Sequence, residues 1–277
     1  ALGIEIIQTE KFNWNLTTQF TKNISKVTKL TNGVDQFNIE IGFSGIGSYC
    51  IVGQPYGVFY GTSWKRNANG DLLLNAKGLP QVNQVAKKIG DPNPDWLMNF
   101  NNTLTYKAFS FSFLWDIRHG GDIWNGTRQS LFSRGRDAET ENRNQTYEIT
   151  GVYDEGTPLA GQTATTTING YDGKNADYFT FIKGQSGPAE NAIEDGSWVR
   201  LRSIGVSYRF DLNAGGKKYV FKYVEVGVSG RNLLLFTKYH GVDPETSLTG
   251  AGSNINGYDY FNMPGTKSVF FNLKFGL

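Results

Sequence analysis

Apolar and polar residues alternate along several stretches of this chain. In the stretch from Lys267 to Leu277, apolar side chains occupy the odd positions from Val269 onward, and the even positions are largely polar. In the stretch from Phe12 to Ile24, the apolar residues occupy even positions, with Asn, Thr and Gln between them. A period of two places alternate side chains on opposite faces of a strand. Both stretches therefore predict β-strands with one apolar face and one polar face.

Seven segments have this strand pattern. The predicted strands are residues 3–9, 11–27, 96–107, 108–118, 197–211, 219–236 and 266–277. Short turns near residues 10, 107 and 212–217 alternate with long polar segments at about 30–95, 119–196 and 236–265. Short periplasmic turns and long extracellular loops are typical of a transmembrane β-barrel. Because the long segments contain strand patterns of their own, such as Val58 to Trp64, we expect them to be folded surface structures.

One predicted strand changes phase within its own length. Its apolar residues are odd-numbered at Val199 and Leu201 and even-numbered from Ile204 to Phe210. A pattern of period two changes phase only where an extra residue is inserted, so we predict a β-bulge near Arg202-Ser203. The alternative is that the upper part of this strand rises above the bilayer and packs under surface loops.

Composition agrees with a barrel, although the mean hydropathy of −0.39 is that of a soluble protein. No run approaches the roughly 20 apolar residues of a membrane helix, but alternating strands average to a neutral hydropathy. The 14% aromatic residues and 34 glycines suit interfacial girdles and turns. A net charge of +2 does not indicate nucleic-acid binding. Because Cys50 is the single cysteine, an internal disulfide framework is excluded. The start, ALGIEIIQTE, has no signal-peptide pattern, so we expect a mature or internal start.

The number of predicted strands is too small for a closed barrel. Single-chain bacterial barrels have at least about eight strands, in even numbers. An open sheet in lipid would leave backbone groups unsatisfied, at several kcal/mol each. We therefore expect an all-β fold in which this chain is a transmembrane sector of a larger antiparallel barrel.

Four long motifs occur in the order that is typical of one protein family. They are GDPNPDWLMNFNNTLTYKAFSFSFLWDIRHGGDIWNGT, EDGSWVRLRSIGVSYRF, SGRNLLLFTKYHGVDPETS and GYDYFNMPGTKSVFFNLKF. In these motifs and in GQPYGVFYGTSWKRNANGD, the chain resembles the SusC-like (SusC/RagA) TonB-dependent outer-membrane transporters. The resemblance implies that residues 1–277 are the C-terminal part, about the last seven strands, of a roughly 22-stranded plugged barrel. The plug and N-terminal domains have no counterpart in these residues.

The resemblance also implies a function and a set of partners. The function is TonB-driven import of glycans, peptides or other oligomers across the outer membrane of a Gram-negative bacterium. The expected partners are a SusD-like surface lipoprotein that forms a lid, TonB acting through the missing N-terminal part, the plug and remaining barrel, and outer-membrane lipid and lipopolysaccharide. Two alternatives are a transport-inactive barrel that anchors partner proteins and a soluble β-rich glycan-binding or hydrolytic domain.

Two groups of residues are candidates for functional contacts. On the strand phases described above, the predicted lumen-facing residues are Arg209, Glu225, Ser229 and Arg231. They contact plug or cargo, or they form a solvated wall with pairing between strands. The loop aromatics Trp64, Trp124 and Tyr171 either contact cargo or the lid, or they anchor the loops against one another.

Residues that would support catalysis or metal binding are poorly arranged in the sequence. His119 and His240 have no second ligand at a fixed spacing. The carboxylates of Asp243-Pro244-Glu245 lack the opposed geometry of a glycosidase pair and favour local capping or pairing. The loop at residues 172–177 lacks the spacing and terminal Glu of an EF-hand. We therefore expect no catalytic residue, no cofactor and no metal site.

Overall fold

The computed structural model describes residues 1–40, 43, 45–171, 177–212, 220–250 and 252–277. Strands in this part of the chain are numbered β1 to β17 in chain order and form four sheets. The largest sheet is an antiparallel meander of seven strands, each paired with the next along the list. Its strands are β1 (Leu2–Gln8), β2 (Phe12–Thr21), β8 (Trp96–Tyr106), β9 (Phe109–His119), β14 (Trp198–Asp211), β15 (Tyr223–Thr237) and β17 (Ser268–Gly276).

All seven predicted strands are confirmed, with small differences at their ends. β2 differs most, because it ends at Thr21 and the pattern predicted a strand to residue 27. The predicted tight turn between β8 and β9 is confirmed: Lys107 and Ala108 connect the strands, and Lys107 has φ 52°. Most of the turn predicted at 212–217 lies outside the described residues.

The predicted bulge in β14 is confirmed at Arg202. The register toward both β9 and β15 shifts between Leu201 and Ser203. Against β9, Arg202 is the one extra residue, since Leu201 pairs with Trp115 and Ser203 with Leu114. Because of the extra residue, the odd-numbered apolar residues that precede the bulge lie on the same face of the sheet as the even-numbered apolar residues that follow it.

The register separates an apolar face from a polar face across all seven strands. One row of directly opposed residues is wholly apolar: Ile7, Trp14, Leu104, Phe111, Val206, Val228 and Phe271. The neighbouring row on the other face is polar or small: Gln8, Asn13, Thr105, Ser110, Ser207, Gly227 and Asn272. Strand alternation alone therefore gives the whole sheet two chemically different surfaces.

The three long segments between these strands leave the same end of the sheet and form what we call the loop domain, residues 22–95, 120–197 and 238–267. It contains the other three sheets. One joins β3 (Gln36–Glu40), β4 (Ile46–Ile51), β5 (Val58–Trp64) and β7 (Val82–Gly90). The second joins β6 (Leu73–Leu74), β11 (Thr146–Tyr153) and β12 (Thr163–Asn169), and the third joins β10 (Asp122–Asn125), β13 (Ile193–Asp195) and β16 (Tyr258–Asp259).

Helices occur in the second long segment, and one core joins all three segments. Helix α1 spans Gly126–Ser133, 3₁₀ turns span Ala138–Glu141 and Ala189–Ala192, and a π-helical turn spans Tyr178–Lys183. No helix in the described ranges has the length and apolar character needed to cross a membrane. The buried core consists of Ile46, Phe59, Trp124, Ala189, Ala192, Ile255 and Tyr258. Because these residues come from every long segment, the loop domain is a folded unit with its own hydrophobic centre, as the strand patterns predicted.

Candidate functional site

The apolar face of the sheet is exposed instead of being buried under other elements. Phe111, Val226 and Phe271 are 37%, 46% and 85% exposed. An exposed apolar surface that extends across seven strands is far larger than the patches that soluble monomers carry, and such surfaces mark contact with a membrane or another protein. The soluble-domain alternative required these side chains to share a compact core, which the structure does not show.

Aromatic side chains concentrate near both ends of the apolar face. Near the turns, the ring centroids of Phe109 and Tyr208 are 4.5 Å apart. Near the loop domain, Trp96 stacks on His119 at 5.0 Å and lies 6.0 Å from Phe20. β9 has 11 residues, and at the usual rise and a tilt of about 40° they cover about 26 Å. This height matches the apolar band of an outer-membrane barrel between its two aromatic girdles.

The four predicted lumen-facing residues all lie on the polar face. Arg209 pairs with Glu225 across β14 and β15, and Glu225 pairs with Lys274 of β17. Ser229 and Arg231 follow on the same face of β15, because every second residue of a strand has the same orientation. The structure thus places charges of both signs in one row near the turns.

Two of these residues contact neighbouring aromatic rings of the wall. The guanidinium carbon of Arg209 lies 3.7 Å from the ring centroid of Tyr223. That of Arg231 lies 5.4 Å from the ring centroid of Phe270. Both contacts are cation–π interactions, which hold a long side chain flat against the sheet. Contact of these residues with a plug or cargo stays a prediction.

A trough of ≈ 600 Å³ lies along the polar face between β9 and β17. Its floor is made of small residues: Ser110, Ser112, Gly205, Ser207, Gly227 and Ser229. A Cβ atom at Gly227 would lie 3.0 Å from the Ser207 Cβ, so glycine allows the two strands to present a smooth surface here. The hydroxyls of this floor suit hydrogen bonding to a polar surface that lies against the wall.

A partly buried cluster of charges joins the sheet to the loop domain. Arg200, on the polar face of β14, donates to Asp243 Oδ1 at 2.6 Å, and both residues are buried. Arg202, the bulge residue, donates to Asp116 Oδ2 at 2.9 Å and to Glu245 Oε1 at 2.6 Å. The sequence predicted local capping or pairing for these carboxylates, and Asp243 Oδ1 accepts from the Glu245 N–H at 2.9 Å. Both carboxylates also pair with arginines 43 residues away, which the sequence did not predict. Two arginines in one strand, next to a phase change, were the signal that could have indicated these partners.

The predicted loop aromatics Trp64 and Trp124 are buried inside the loop domain. The indole N–H of Trp64 donates to Asn191 Oδ1 at 2.8 Å, and its ring meets that of Phe181 edge-on at 5.4 Å. Trp124 is 4% exposed and belongs to the domain core. These contacts agree with the anchoring role that the sequence left open for both residues. Their direct contact with cargo or a lid stays a prediction.

Tyr171 is the third predicted loop aromatic and is less buried. The guanidinium carbon of Arg143 lies 5.5 Å from its ring centroid. Its backbone N–H donates to the Arg143 carbonyl at 3.0 Å. Residues 172–176 of the neighbouring acidic loop lie outside the described residues. Asp177, which is described, caps the π-helical turn by accepting from the Thr180 N–H at 2.7 Å.

Both histidines pair with a single carboxylate. His119 Nδ1 lies 3.3 Å from Asp95, and His240 Nδ1 lies 2.9 Å from Glu194. Within the described ranges, no three His, Cys, Asp or Glu side chains are grouped closely enough to hold a metal ion.

Burial shifts several pKa values in the loop domain. It raises the pKa of Tyr258 to about 12, and the hydrogen bond between its hydroxyl and Ser48 opposes this increase. Burial also raises the pKa of Tyr239, whose hydroxyl donates to Asp259 at 2.6 Å. For Asp122, burial raises the pKa although the Asp91 N–H donates to its carboxylate at 2.7 Å. These groups hold core elements of the loop domain together.

Solved structures of a peptide importer have the same fold. The structure of the RagAB peptide importer in the open-open state has a TM-score of 0.65 and 16% identity, with 99% of this chain and 28% of that chain covered. The structure of the RagAB peptide transporter has a TM-score of 0.62 and 15% identity, with the same coverage. The chain therefore has the fold of a transmembrane antiparallel β-barrel segment, as predicted.

Curated relatives of the chain are TonB-dependent receptors. The chain is 28% identical to TonB-dependent receptor P26 of Formosa agariphila, over 99% of this chain and 28% of the relative. It is 27% identical to TonB-dependent receptor P3 of the same organism (97% and 27%) and 24% identical to TonB-dependent receptor SusC of Bacteroides thetaiotaomicron (93% and 24%). No family model matches the chain. The chain is similar to TonB-dependent receptors, SusC among them, and it spans about a quarter of the length of these relatives.

Proposed function

We propose that this chain is part of the wall of a TonB-dependent nutrient importer in the outer membrane of a Gram-negative bacterium. The apolar face contacts lipid, the polar face lines the interior, and the loop domain lies at the cell surface. The observation that carries the proposal is the separation of apolar and polar rows across all seven strands. An environment with hydrocarbon on one side and water or a polar plug on the other favours both faces.

The proposed cargo is an oligomer, either a glycan or a peptide, delivered with a SusD-like surface lipoprotein as the lid. The relation to a receptor named SusC and the likeness to a peptide importer support this class of cargo and partner. TonB acts through the plug, and the polar face of this chain lies against that plug. We propose no catalytic step for these residues.

A pair of substitutions on adjacent residues tests which face lines the interior. Ser207 lies in the polar row, and Val206 lies in the apolar row. In the full-length protein, Ser207→Trp introduces bulk toward the interior and lowers TonB-dependent uptake while the barrel still folds. The matched variant Val206→Trp places the same side chain in lipid and leaves uptake unchanged. Equal uptake by both folded variants would contradict the proposal.

A transport-inactive barrel that anchors partner proteins is a second candidate. The loop domain favours it, because a folded unit with its own core offers a stable platform. Deletion of the gene distinguishes the two functions. If the protein is an importer, deletion abolishes uptake of one class of oligomer, and loss of TonB has the same effect. If the protein is a scaffold, deletion releases surface partners and leaves uptake of every oligomer intact.

A further inference from the structure

The last row of the apolar face before the loop domain is followed by a change in chemistry. That row consists of directly opposed apolar residues: Phe20, Met98, Ile117, Val199 and Phe236. In the next row on the same face, Trp96 pairs with His119, and Lys22, the first residue after β2, lines a groove together with Trp96. Two residues correspond to about 7 Å of extended chain. The surface therefore changes from apolar to aromatic and cationic within that distance.

The chain after β2, which we call the lysine segment (residues 22–30), keeps the phase of that strand. Ser25 and Val27 face the loop domain: a backbone N–H donates to Ser25 Oγ at 3.4 Å, and Val27 exchanges backbone hydrogen bonds with residues 53 and 54 at 2.8 Å. The even-numbered residues between and before them are exposed: Lys22, Ile24 and Lys26. The apolar face of β2 thus continues as an exposed stripe in which cationic and apolar side chains alternate.

The positive charge of the lysine segment is not compensated by carboxylates. Residues 11–34 contain four lysines and neither Asp nor Glu. Among the residues that the structure describes, no carboxylate lies within 4.0 Å of the ammonium group of Lys22 or Lys26. Other lysines of the loop domain, such as Lys65 and Lys88, do pair with a carboxylate. Unpaired ammonium groups beside an apolar stripe are typical of surfaces that bind anionic lipid headgroups.

A groove of ≈ 390 Å³ lies between the lysine segment and residues 91–97. Its two carboxylates, Asp91 and Asp95, already have basic partners at 3.6 and 3.3 Å. Lys22 adds an ammonium group to the lining, and Asn23 adds an amide next to it. The apolar part of the lining is Ile24, Pro55, Pro94, Trp96 and Leu97. The groove therefore suits a ligand that has both an anionic group and an apolar part.

We propose that Lys22 and Lys26 bind phosphate groups of lipopolysaccharide in the outer leaflet of the membrane. The inference rests on the proposed position of the chain in the outer membrane. Lysine binds phosphate as a point charge, and the exposed side chains of Phe20 and Ile24, on either side of Lys22, suit the acyl chains of the same molecule. Ile24 is 81% exposed, and a free anion in water would leave it uncovered.

An acidic partner protein is the competing occupant of this surface, and the position of the lysines favours it less. Lys22 follows the apolar face directly, and its neighbour Trp96 stacks on His119 with the ring centroids 5.0 Å apart. Tryptophan beside an apolar band is typical of the boundary between hydrocarbon and headgroups. The lysine segment is therefore continuous with the surface that we assign to lipid.

Native mass spectrometry of the full-length protein in detergent tests the site by measuring retained lipid. The probes are phosphorylated lipid A, the same lipid A with its phosphates removed, and dioleoyl phosphatidylglycerol, and inorganic phosphate is added as a competitor. We expect phosphorylated lipid A to bind at least about tenfold more tightly than either other lipid, and we expect millimolar inorganic phosphate not to displace it. Equal retention of dephosphorylated lipid A or of phosphatidylglycerol overturns the proposal, and so does displacement by inorganic phosphate.

Substitutions of the two lysines test their role in the same measurement. Lys22→Gln/Lys26→Gln removes both cations and weakens retention of phosphorylated lipid A at least about tenfold, whereas Lys22→Arg/Lys26→Arg preserves it. Lys77→Gln is the control, because it removes an exposed lysine from a turn elsewhere in the loop domain, and it leaves retention unchanged. Heat-modifiable migration in gel electrophoresis shows that each variant is folded. Unchanged retention in the folded Gln double variant overturns the site, also where that variant loses an acidic partner protein on purification.

The outcomes separate this inference from the proposed function. If the unmodified protein dissolves without detergent and retains none of the lipids, the position in the membrane is wrong and both proposals fail. If it imports oligomers but retains lipid A equally with and without phosphates, the proposed function stands and the phosphate site alone fails.

Discussion

Individual buried charges connect the sheet to the loop domain. Arg200 and Asp243 are 4% and 6% exposed, and their ion pair spans the boundary between the two parts. Both arginines of the cluster lie about 5.5 Å from the ring of Trp198, which covers them on one side. Removing one partner of a buried pair leaves the other charge uncompensated, and this loss exceeds the net contribution of the intact pair.

Asp243→Asn therefore destabilises the junction, by less than the about 3–5 kcal/mol of a fully broken buried pair, because Glu245 Oε2 still lies 3.0 Å from Arg200 Nε. The reason is that Arg200 keeps its charge but loses its shortest carboxylate contact. The measurement is urea unfolding of the full-length protein in detergent, followed by tryptophan fluorescence. Glu148→Gln, at an exposed position of β11, is the control and changes stability little. If the free energy of unfolding falls no more in Asp243→Asn than in the control, the charge cluster does not stabilise the protein.

Acid weakens a second ion pair, inside the loop domain. Asp154 accepts hydrogen bonds from Lys65 at 2.5 Å and from Gln81 at 3.0 Å, and the Lys65 contact is the main reason that its pKa is lowered. A carboxylate with a lowered folded-state pKa stabilises the fold above its unfolded pKa. That contribution is lost as the pH falls through the folded pKa.

We expect Asp154→Asn to speed amide hydrogen exchange of β6 and β11 at pH 7, and we expect the difference from the unmodified protein to shrink as the pH falls below the ordinary carboxyl pKa of 3.8 and through the lowered folded-state pKa. Glu155→Gln, at the adjacent exposed residue, is the control at each pH. A difference that stays constant down to low pH would contradict the role of the carboxylate charge.

At the scale of single residues, the sequence predicted the face of the sheet on which a side chain lies better than the residues that the side chain contacts. Strand period alone placed Arg209, Glu225, Ser229 and Arg231 on one face, because that period holds wherever a strand is regular. The sequence did not indicate that Trp64 hydrogen-bonds to Asn191, a residue 127 positions away. Such contacts depend on how three long segments assemble, which no local pattern encodes.

At the scale of elements, β14 shows how a phase change in sequence becomes a bulge in structure. Apolar residues of β14 stay on one face only because Arg202 adds one residue against β9. The same bulge brings the Arg202 side chain to Asp116 and Glu245. One inserted residue thus keeps the apolar side chains of β14 on one face and also contacts the loop domain.

Deletion of Arg202 tests this role of the bulge. Without the extra residue, one half of β14 shifts by one position and either Val199 and Leu201 or Ile204 and Val206 turn toward the polar face. We expect loss of folded, heat-modifiable barrel in gel electrophoresis. Deletion of Gly252, in the third long segment, removes one residue without changing any strand register and preserves folding. A normally assembled barrel after the Arg202 deletion would show that the register adapts by another route.

The short strands of the loop domain could not be predicted from sequence. β10 pairs in parallel with β16, where Trp124 meets Tyr258 and Asn125 meets Asp259. Both partners are only a few residues long and are distant in the chain, so neither shows a period of its own. The seven long strands were predictable because each has enough residues to repeat the alternation and because the two faces differ sharply.

At the scale of the whole molecule, the sheet is stable only where both of its faces meet a matching environment. The row from Ile7 to Phe271 covers all seven strands with apolar side chains, and the trough on the other face is lined with hydroxyls and glycine. Water would favour only the polar face, and a protein core would favour only the apolar one. A membrane wall around a polar interior satisfies both.

Arginine substitutions on the two faces test this arrangement directly. Phe111→Arg and Val226→Arg place a charge on the apolar face, and we expect each to impair assembly of the full-length barrel by about 2–4 kcal/mol where the residue lies near the bilayer midplane, and by less toward either interface. Ser112→Arg and Ser229→Arg place the same charge on the polar face, where water or the plug solvates it, and we expect near-normal assembly. The amount of heat-modifiable protein in the outer membrane measures the result. If all four variants assemble equally well, the apolar rows do not face lipid, and the sheet must be covered by another protein surface.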